Sequence, residues 1–279
     1  MKKKVWVGTV RRLCTVLLSG CGISIGKRAN HVDNWNRIEK RGYVTVGLDD
    51  TFVPMGFREK SGKLVGYDID LARAVFKLYG IKVSFQSIDW NMNATELNNG
   101  TIDLIWNGYS KTPQREKKVA FSDTYLLNDQ ELVTMRKSNI KSFADMKGKV
   151  VGAQTGSSGA NDITEFPKLL KNKISGQPVL YDSFTNAFID LKANRIQGLI
   201  IDSTYAGYYV NHESDPKAYR IVRGSFPKEA FGVGMRKSDK TMRRKINRGL
   251  KILAKNGTLE KINHKWFGNN ADSPLLKNK

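Results

Sequence analysis

Thr112-Pro113-Gln114-Arg115-Glu116 is the stretch in which residue type and position argue most directly for chemistry. Threonine at an N-cap and proline in the first helical position start a helix, which puts Arg115 in its first turn. A cation there opposes the helix dipole, so local stability does not explain it. An anionic ligand would, because a guanidinium and free backbone amides together bind a carboxylate, with a bidentate geometry that only arginine offers. The plain alternative is an exposed arginine paired with a nearby acid. Gly152-Ala153-Gln154-Thr155-Gly156-Ser157-Ser158-Gly159 lies between a strand pattern and a helical stretch. Its glycines let backbone approach a ligand, and its serines and amides offer donors to an anion, although an ordinary capped turn fits the same residues. It is neither GxGxxG nor GxxxxGK[ST], so no nucleotide motif is present.

Asp202 closes the apolar run Leu199-Ile200-Ile201. A carboxylate at the carboxyl end of a buried strand either caps the following helix or partners a ligand cation. Asp49 and Asp50 stand at the equivalent place after an earlier strand. Phe52, Trp90, Trp106 and Tyr109 follow strands or turns rather than helix stripes. That makes them candidates to line a cleft, although aromatic side chains belong to cores more often.

Alternating elements must position these residues. Tyr43-Val44-Thr45-Val46-Gly47 reads as a strand. Asp68, Asp70, Leu71, Ala74, Val75 and Leu78 have the spacing of an amphipathic helix, with acids at its positive end and Gly80 just past its close. Val83-Ser84-Phe85 starts another strand, Ala94 to Asn99 a helix, and Ile102 to Trp106 a third strand, so the class is α/β with a largely parallel sheet. The pattern then recurs. Leu97-Asn98-Asn99-Gly100-Thr101-Ile102-Asp103-Leu104-Ile105 is echoed 94 residues later by Leu191-Lys192-Ala193-Asn194-Arg195-Ile196-Gln197-Gly198-Leu199, and Val44-Thr45-Val46-Gly47 by Lys149-Val150-Val151-Gly152. Two similar α/β units with a cleft between their strand ends are implied.

Length and composition bound the rest. With 279 residues and 40% hydrophobic content the chain can bury real cores, and two domains are the natural expectation. The net charge of +21 therefore sits on folded surface. No zinc-finger spacing, no basic region leading into heptads and no RNA-binding aromatic pattern accompanies it, and a nucleic-acid binder is not the expectation. Surplus lysine also suits a protein facing anionic lipid or cell wall. Both cysteines, Cys14 and Cys21, lie near the amino terminus, so the body has no disulfide framework or thiolate metal site. Neither HExxH nor GxSxG occurs.

Lys2, Lys3 and Lys4, the apolar run Leu13 to Leu18, and Leu18-Ser19-Gly20-Cys21 resemble a lipoprotein signal, with cleavage before Cys21 and lipidation on it. Arg11-Arg12 shortens the apolar run below the usual length of about 7 to 15 residues. A cytoplasmic start with a coincidental cysteine and a twin-arginine export route are the alternatives. Leaving out residues 1–20, which hold five basic residues and no acid, a net charge of +16 remains. No stretch reaches the about 18 apolar residues of a membrane span, so attachment would be by lipid alone.

Taken together, Gly62-Lys63-Leu64-Val65-Gly66-Tyr67-Asp68-Ile69-Asp70-Leu71-Ala72, Phe121-Ser122-Asp123-Thr124-Tyr125, Ser142-Phe143-Ala144-Asp145-Met146-Lys147-Gly148-Lys149, Asn256-Gly257-Thr258-Leu259-Glu260-Lys261-Ile262 and Lys265-Trp266-Phe267-Gly268 resemble, in order, the amino-acid-binding branch of the bacterial extracellular solute-binding proteins, family 3, which serve ABC importers. The resemblance runs from about Trp35 to Gly268. It implies a periplasmic-binding-protein-like α/β fold of two lobes joined by two crossing segments, near Leu126 to Glu131 and Arg223 to Glu229. The organisation would be a signal peptide at 1–20, a tether at 21–34, one lobe from 35–126 and 230–268, a second from 131–223, and a tail at 269–279.

By position in that family, Arg115 holds the α-carboxylate of an L-amino acid, assisted by Ser110 and Ser158. Asp202 takes the α-ammonium, and Asp49 faces the ammonium or the side chain. Phe52 and Trp90 match the aromatic sandwich, while Asn107, Gly108 and Gln154 match backbone or polar contacts. The resemblance also implies no cofactor, no metal and no catalysis. The protein would be a monomer on the extracytoplasmic membrane face, lipid-anchored at Cys21, delivering its ligand to a permease. Trp106 to Ser110 is bulkier than in many relatives, Leu48 replaces a small polar residue, and Gln197 stands where the second lobe usually carries an acid. The pocket's shape is therefore not borrowed from a named relative, and Asp49 and Asp50 lean towards a polar or charged ligand. A cyclohexadienyl-dehydratase-like enzyme on the same scaffold is the alternative.

Overall fold

Glycine and capping residues set the element boundaries of this chain. A computed structural model describes residues 30–224, 226–269 and 271–277. The leader reading and Cys21 lie outside them. Helix α1 (Trp35–Arg41) stops at Gly42 in the left-handed conformation, and strand β1 (Tyr43–Leu48) follows. A small antiparallel meander, β2 (Thr51–Phe52), β3 (Gly56–Arg58) and β4 (Leu64–Val65), leads into α2 (Tyr67–Lys77) and β5 (Lys82–Ser87). Then come α3 (Asn93–Asn99), β6 (Leu104–Ile105), α4 (Pro113–Glu116) and β7 (Ala120–Phe121).

The chain then crosses on β8 (Leu126–Asn128) into β9 (Gln130–Met135). The second lobe adds β10 (Val151–Gln154), α5 (Ser158–Glu165), β11 (Val179–Tyr181), α6 (Phe184–Lys192), β12 (Gly198–Asp202), α7 (Ser203–His212) and β13 (Tyr219–Arg223). The return crossing is β14 (Glu229–Phe231), antiparallel to β8. Strand β15 (Gly234–Met235) re-enters the first sheet, and α8 (Lys240–Lys255), α9 (Thr258–Phe267) and α10 (Pro274–Lys277) end the described chain. Between α9 and α10, Leu127 N–H donates to Asp272 O at 2.8 Å and Ser273 Oγ to Tyr125 O at 2.7 Å, so the C-terminal segment fastens onto the first crossing strand.

The two five-stranded sheets run β5-β1-β6-β15-β7 and β11-β10-β12-β9-β13. In each, the first strand of the unit sits parallel between the second and third, and an antiparallel strand beside the third comes from a crossing segment. The internal echo therefore reflects equivalent places, down to single bonds. Thr45 N–H donates to Asp103 Oδ2 at 2.9 Å, and Val150 N–H donates to Gln197 Oε1 at 3.0 Å. Asp103 needs its charge because Arg41 and the buried Arg236 also bond it. Among the described residues Gln197 meets no arginine there; its Nε2 turns to Asn194 O at 2.9 Å, so a neutral amide suffices.

Helix α2 buries Tyr67, Leu71, Ala72, Val75 and Phe76 in the core it shares with α8 and α9. Asp68 corrects the dipole reading of its acids. It is fully buried, and its Oδ2 accepts from Gly108 N–H at 2.7 Å and from Tyr125 Oη–H at 3.0 Å. Burial raises its pKa to about 7. Asp68 thus anchors the loop that carries the candidate site. Just before it, Gly66 has φ +149°, and a Cβ there would stand 2.2 Å from Met55 O, a backbone atom that cannot step aside. Gly66→Ala is expected to cost at least about 2 kcal/mol in denaturant unfolding, since left-handed strain and a backbone clash add.

Candidate functional site

The helix start at Thr112 forms as its residues dictate: Thr112 Oγ1 accepts from Arg115 N–H at 3.2 Å, and Pro113 opens α4. This turn fixes Arg115 with its guanidinium in the cleft, 4.3 Å above the Tyr109 ring. Arg115 is only 8% exposed. Its Nη1 donates to Ser110 O at 3.0 Å, and Nη2 crosses to the second lobe to donate to Gly156 O at 3.1 Å. Both acceptors are neutral carbonyls, and no carboxylate among the described residues lies within ion-pair distance of it. The exposed, acid-paired alternative is thereby excluded. A buried cation without a counter-charge is costly unless a partner anion arrives.

Gly152 to Gly159 is both a capped turn and a cleft wall. Ser157 Oγ caps α5 by accepting from Ala160 N–H at 3.0 Å. Gly156, with φ +72°, brings the loop against Asn91 of the other lobe, where a Cβ would meet the Asn91 Cα at 3.0 Å. Ser158 Oγ donates to Ser110 Oγ across the cleft at 3.2 Å and accepts from Gln130 Nε2 at 3.2 Å.

Asp202 occupies the N-cap position of α7, but its carboxylate makes no cap bond. Instead Oδ1 accepts from Asn128 Nδ2 at 2.6 Å and Gln130 Nε2 at 2.9 Å. A second acid shares those amides. Glu229 Oε2 accepts from Ser110 Oγ at 2.6 Å and from Asn128 Nδ2 and Gln130 Nε2, each at 3.1 Å, while its buried Oε1 has no protein partner. Strand register explains the arrangement. Gln130 stands opposite Asp202 in the β9–β12 pair and Asn128 opposite Glu229 in the β8–β14 pair, and cross-strand partners share a face. Burial, and then the Glu229 charge, push the Asp202 carboxyl well above the usual range. Asp162 on α5 is pushed to about 7 by burial and by Glu229 and Glu165.

At the other end of the cleft, Asp49 Oδ1 accepts from Thr51 N–H at 2.9 Å and Thr51 Oγ1 at 2.7 Å. Its Oδ2 accepts from Gln154 Nε2 of the second lobe at 2.7 Å. Asn107 Oδ1 accepts from Asp49 N–H at 3.1 Å, and its Nδ2 is buried without a partner. Gly108, at φ +56°, leaves space for the Phe52 ring, which a Cβ would approach to 2.9 Å. Phe52 meets Phe184 at 5.8 Å and Tyr205 at 5.4 Å, both from the second lobe.

Asp49, Phe52, Asn107, Gly108, Ser110, Arg115, Gln154, Ser158 and Asp202 are therefore brought to one cleft, which is closed. Trp90 stands behind it, buried edge-on to Tyr109 at 5.7 Å in an apolar cluster with Leu97, Ile102 and Phe121. Trp106 is core. Asp50 does not join the cleft: it faces Arg58 at 2.6 Å and Ser87 at 2.5 Å, because successive residues point to opposite sides. Sequence reasoning missed Asn128, Gln130, Asp162, Phe184, Tyr205 and Glu229. The available signal was the polar run Asn128-Asp129-Gln130-Glu131 between apolar stretches, of which the i, i+2 pair Asn128 and Gln130 is the buried face. Among the described residues no cluster of three His, Cys, Asp or Glu side chains could hold a metal ion, and no helix is long and apolar enough to cross a membrane.

The model of the bacterial extracellular solute-binding proteins, family 3, matches residues 44–269. The chain is a family 3 solute-binding protein. A Streptococcus pneumoniae ABC uptake transporter substrate-binding protein, solved with bound histidine, is similar at 48% identity and TM-score 0.84, over 85% of this chain and 96% of that one. The arginine-binding extracellular protein ArtP of Bacillus subtilis is 29% identical over 95% of this chain and 98% of its own. The L-cystine-binding protein TcyJ of Escherichia coli is 28% identical over 84% and 85%. Family 3 membership makes this chain an extracytoplasmic binding protein rather than an enzyme, and its two sheets joined at β8 and β14 form the two-lobed fold of its structural neighbours.

Proposed function

We propose that this protein captures a free L-amino acid outside the cytoplasm and presents it to a membrane ABC permease. The observation that carries the reading is Arg115, a buried arginine that reaches both lobes and lacks a carboxylate partner. The ligand's α-carboxylate supplies that partner, with Ser110 and Ser158 as further donors. Asp202 takes the α-ammonium, and Glu229 adds a second negative charge beside it. Arg115 lies on the first lobe and Asp202 on the second, so a zwitterion bridging them stabilises the closed state over the open one by its differential affinity. Asp49 and Gln154, with Phe52, Phe184 and Tyr205 around them, receive the side chain, and this favours polar or cationic ligands over acidic ones.

Residues 35–126 with 230–268 form one moving body and 131–223 the other, turning about β8 and β14. A lipid on Cys21 tethers the monomer to the outer membrane face. Thermal-shift screening against the twenty amino acids and cystine tests the reading, since a ligand at 100 times its Kd adds about 2.7 kcal/mol of apparent stability. Histidine, arginine or cystine is expected to raise Tm by several degrees, and aspartate or glutamate by little. Silence across the panel would refute amino-acid capture.

A further inference from the structure

Helix α8 carries seven basic residues and no acid in its sixteen positions. Its buried side, Met242, Ile246, Gly249, Leu250 and Leu253, packs on the first lobe, with a Gly249 Cβ position only 2.9 Å from Val75. The cations are thereby forced to the outside, where Lys240, Arg243, Arg244, Arg248, Lys251 and Lys255 are exposed and Lys237 joins them. Among the described residues only Lys251 of these has a carboxylate within ion-pair range, Asp123 at 3.5 Å. Of the other acids nearby, Asp239 is buried on Arg236 and Asp33 accepts from Thr241 N–H, which leaves Glu116, at the far end beside Lys111, as one acid in the lining.

Three shallow depressions along this face share lining residues. Arg244 and Asn247 belong to two of them, and Lys237 and Arg243 continue into a third that ends at Lys111. They form one continuous basic trough over a helix of about 24 Å at 1.5 Å per residue. A row of cations with so few acid partners does not stabilise the fold, because like charges on one helix face repel. They are complementary to an extended anionic surface, and a membrane whose outer leaflet holds anionic phospholipid is such a surface for an extracytoplasmic protein.

We propose that the outer face of α8 is a docking surface for anionic phospholipid headgroups. It holds the first lobe against the membrane independently of any acyl chain. The contact is electrostatic and headgroup-tolerant, and it weakens with salt as exposed charges are screened.

The test uses the full chain carrying Cys21→Ser, so that no lipid is attached, and sedimentation with vesicles of phosphatidylcholine alone or with about 30% phosphatidylglycerol, a fraction that gives a strongly negative surface. Binding to the anionic vesicles only, lost on raising salt, is expected. Arg243→Glu/Arg248→Glu/Lys255→Glu should weaken it at least about tenfold, with circular dichroism and the amino-acid thermal shift unchanged. Equal binding by the triple variant, or no binding by the parent, overturns the proposal. So does a parent that ignores anionic vesicles yet binds double-stranded DNA or an acidic protein through α8. Because the amino-acid thermal shift is read separately, failure here leaves the capture reading intact, and failure of capture leaves this one intact.

Discussion

Arg115→Ala is expected to lower amino-acid affinity by about two to three orders of magnitude, because truncating one member of a buried charge pair typically costs about 2–5 kcal/mol. In the closed cleft the guanidinium is, among the described residues, the cation placed to neutralise a ligand carboxylate, and both its bonded acceptors are carbonyls. Removing it leaves the carboxylate facing Asp202, Glu229 and Asp162, so the loss includes repulsion as well as a missing bond. Arg115→Lys should recover only part of the affinity. A lysine restores the charge but not the planar fork that donates to Ser110 O, Gly156 O and a carboxylate together. Titration calorimetry decides: an unchanged Kd in Arg115→Ala sinks the proposed role, while a lost fold, read by circular dichroism, is separated from it by the lysine variant.

The second large effect concerns Asp202 and pH. The closed cleft buries Asp202 beside Glu229, and burial together with that neighbouring charge raises the Asp202 pKa. A carboxyl whose pKa is higher in the closed form than in the solvated open form stabilises ligand-free closure at acid pH. That contribution is lost as pH rises through the raised value. The ligand's ammonium does the same work without a proton. Proton and amino acid therefore compete, and affinity should be greater at pH 8 than at pH 5. Asp202→Asn should flatten this dependence and weaken binding at pH 8 by about 30-fold or more, the low end of about 2–5 kcal/mol for a buried charge partner. Affinity that rises as pH falls, or an Asn variant that keeps the wild-type pH profile, would count against the pairing. Small-angle scattering gives an independent reading, with the ligand-free protein more compact at pH 5 than at pH 8.

Much of the site was legible before the fold. Thr112 and Pro113 announce a helix start, and such a start is made by contacts within one turn, so Arg115 could be placed from five residues. The 94-residue echo announced two equivalent units, since helix-to-strand turns are encoded by local glycine and apolar spacing. The acids resisted the same treatment. Asp49 and Asp50 are identical in type and adjacent in sequence, yet one accepts from Gln154 across the cleft and the other pairs outward with Arg58. Asp68 looked like an ornament of a helix dipole and is instead the buried anchor of the Gly108 loop.

By itself the sequence determined the α/β class, the repeated unit and the arginine at the start of α4, because caps, glycines and hydrophobic period act over a few residues; the crossing segments came only with the family resemblance. Tertiary structure alone decided which charges meet. Asn128 reaches Glu229 and Gln130 reaches Asp202 over separations of 101 and 72 residues, through the register of two antiparallel pairings. Burial, and hence the repulsion that makes two carboxylates await a cation, exists only after those strands have paired.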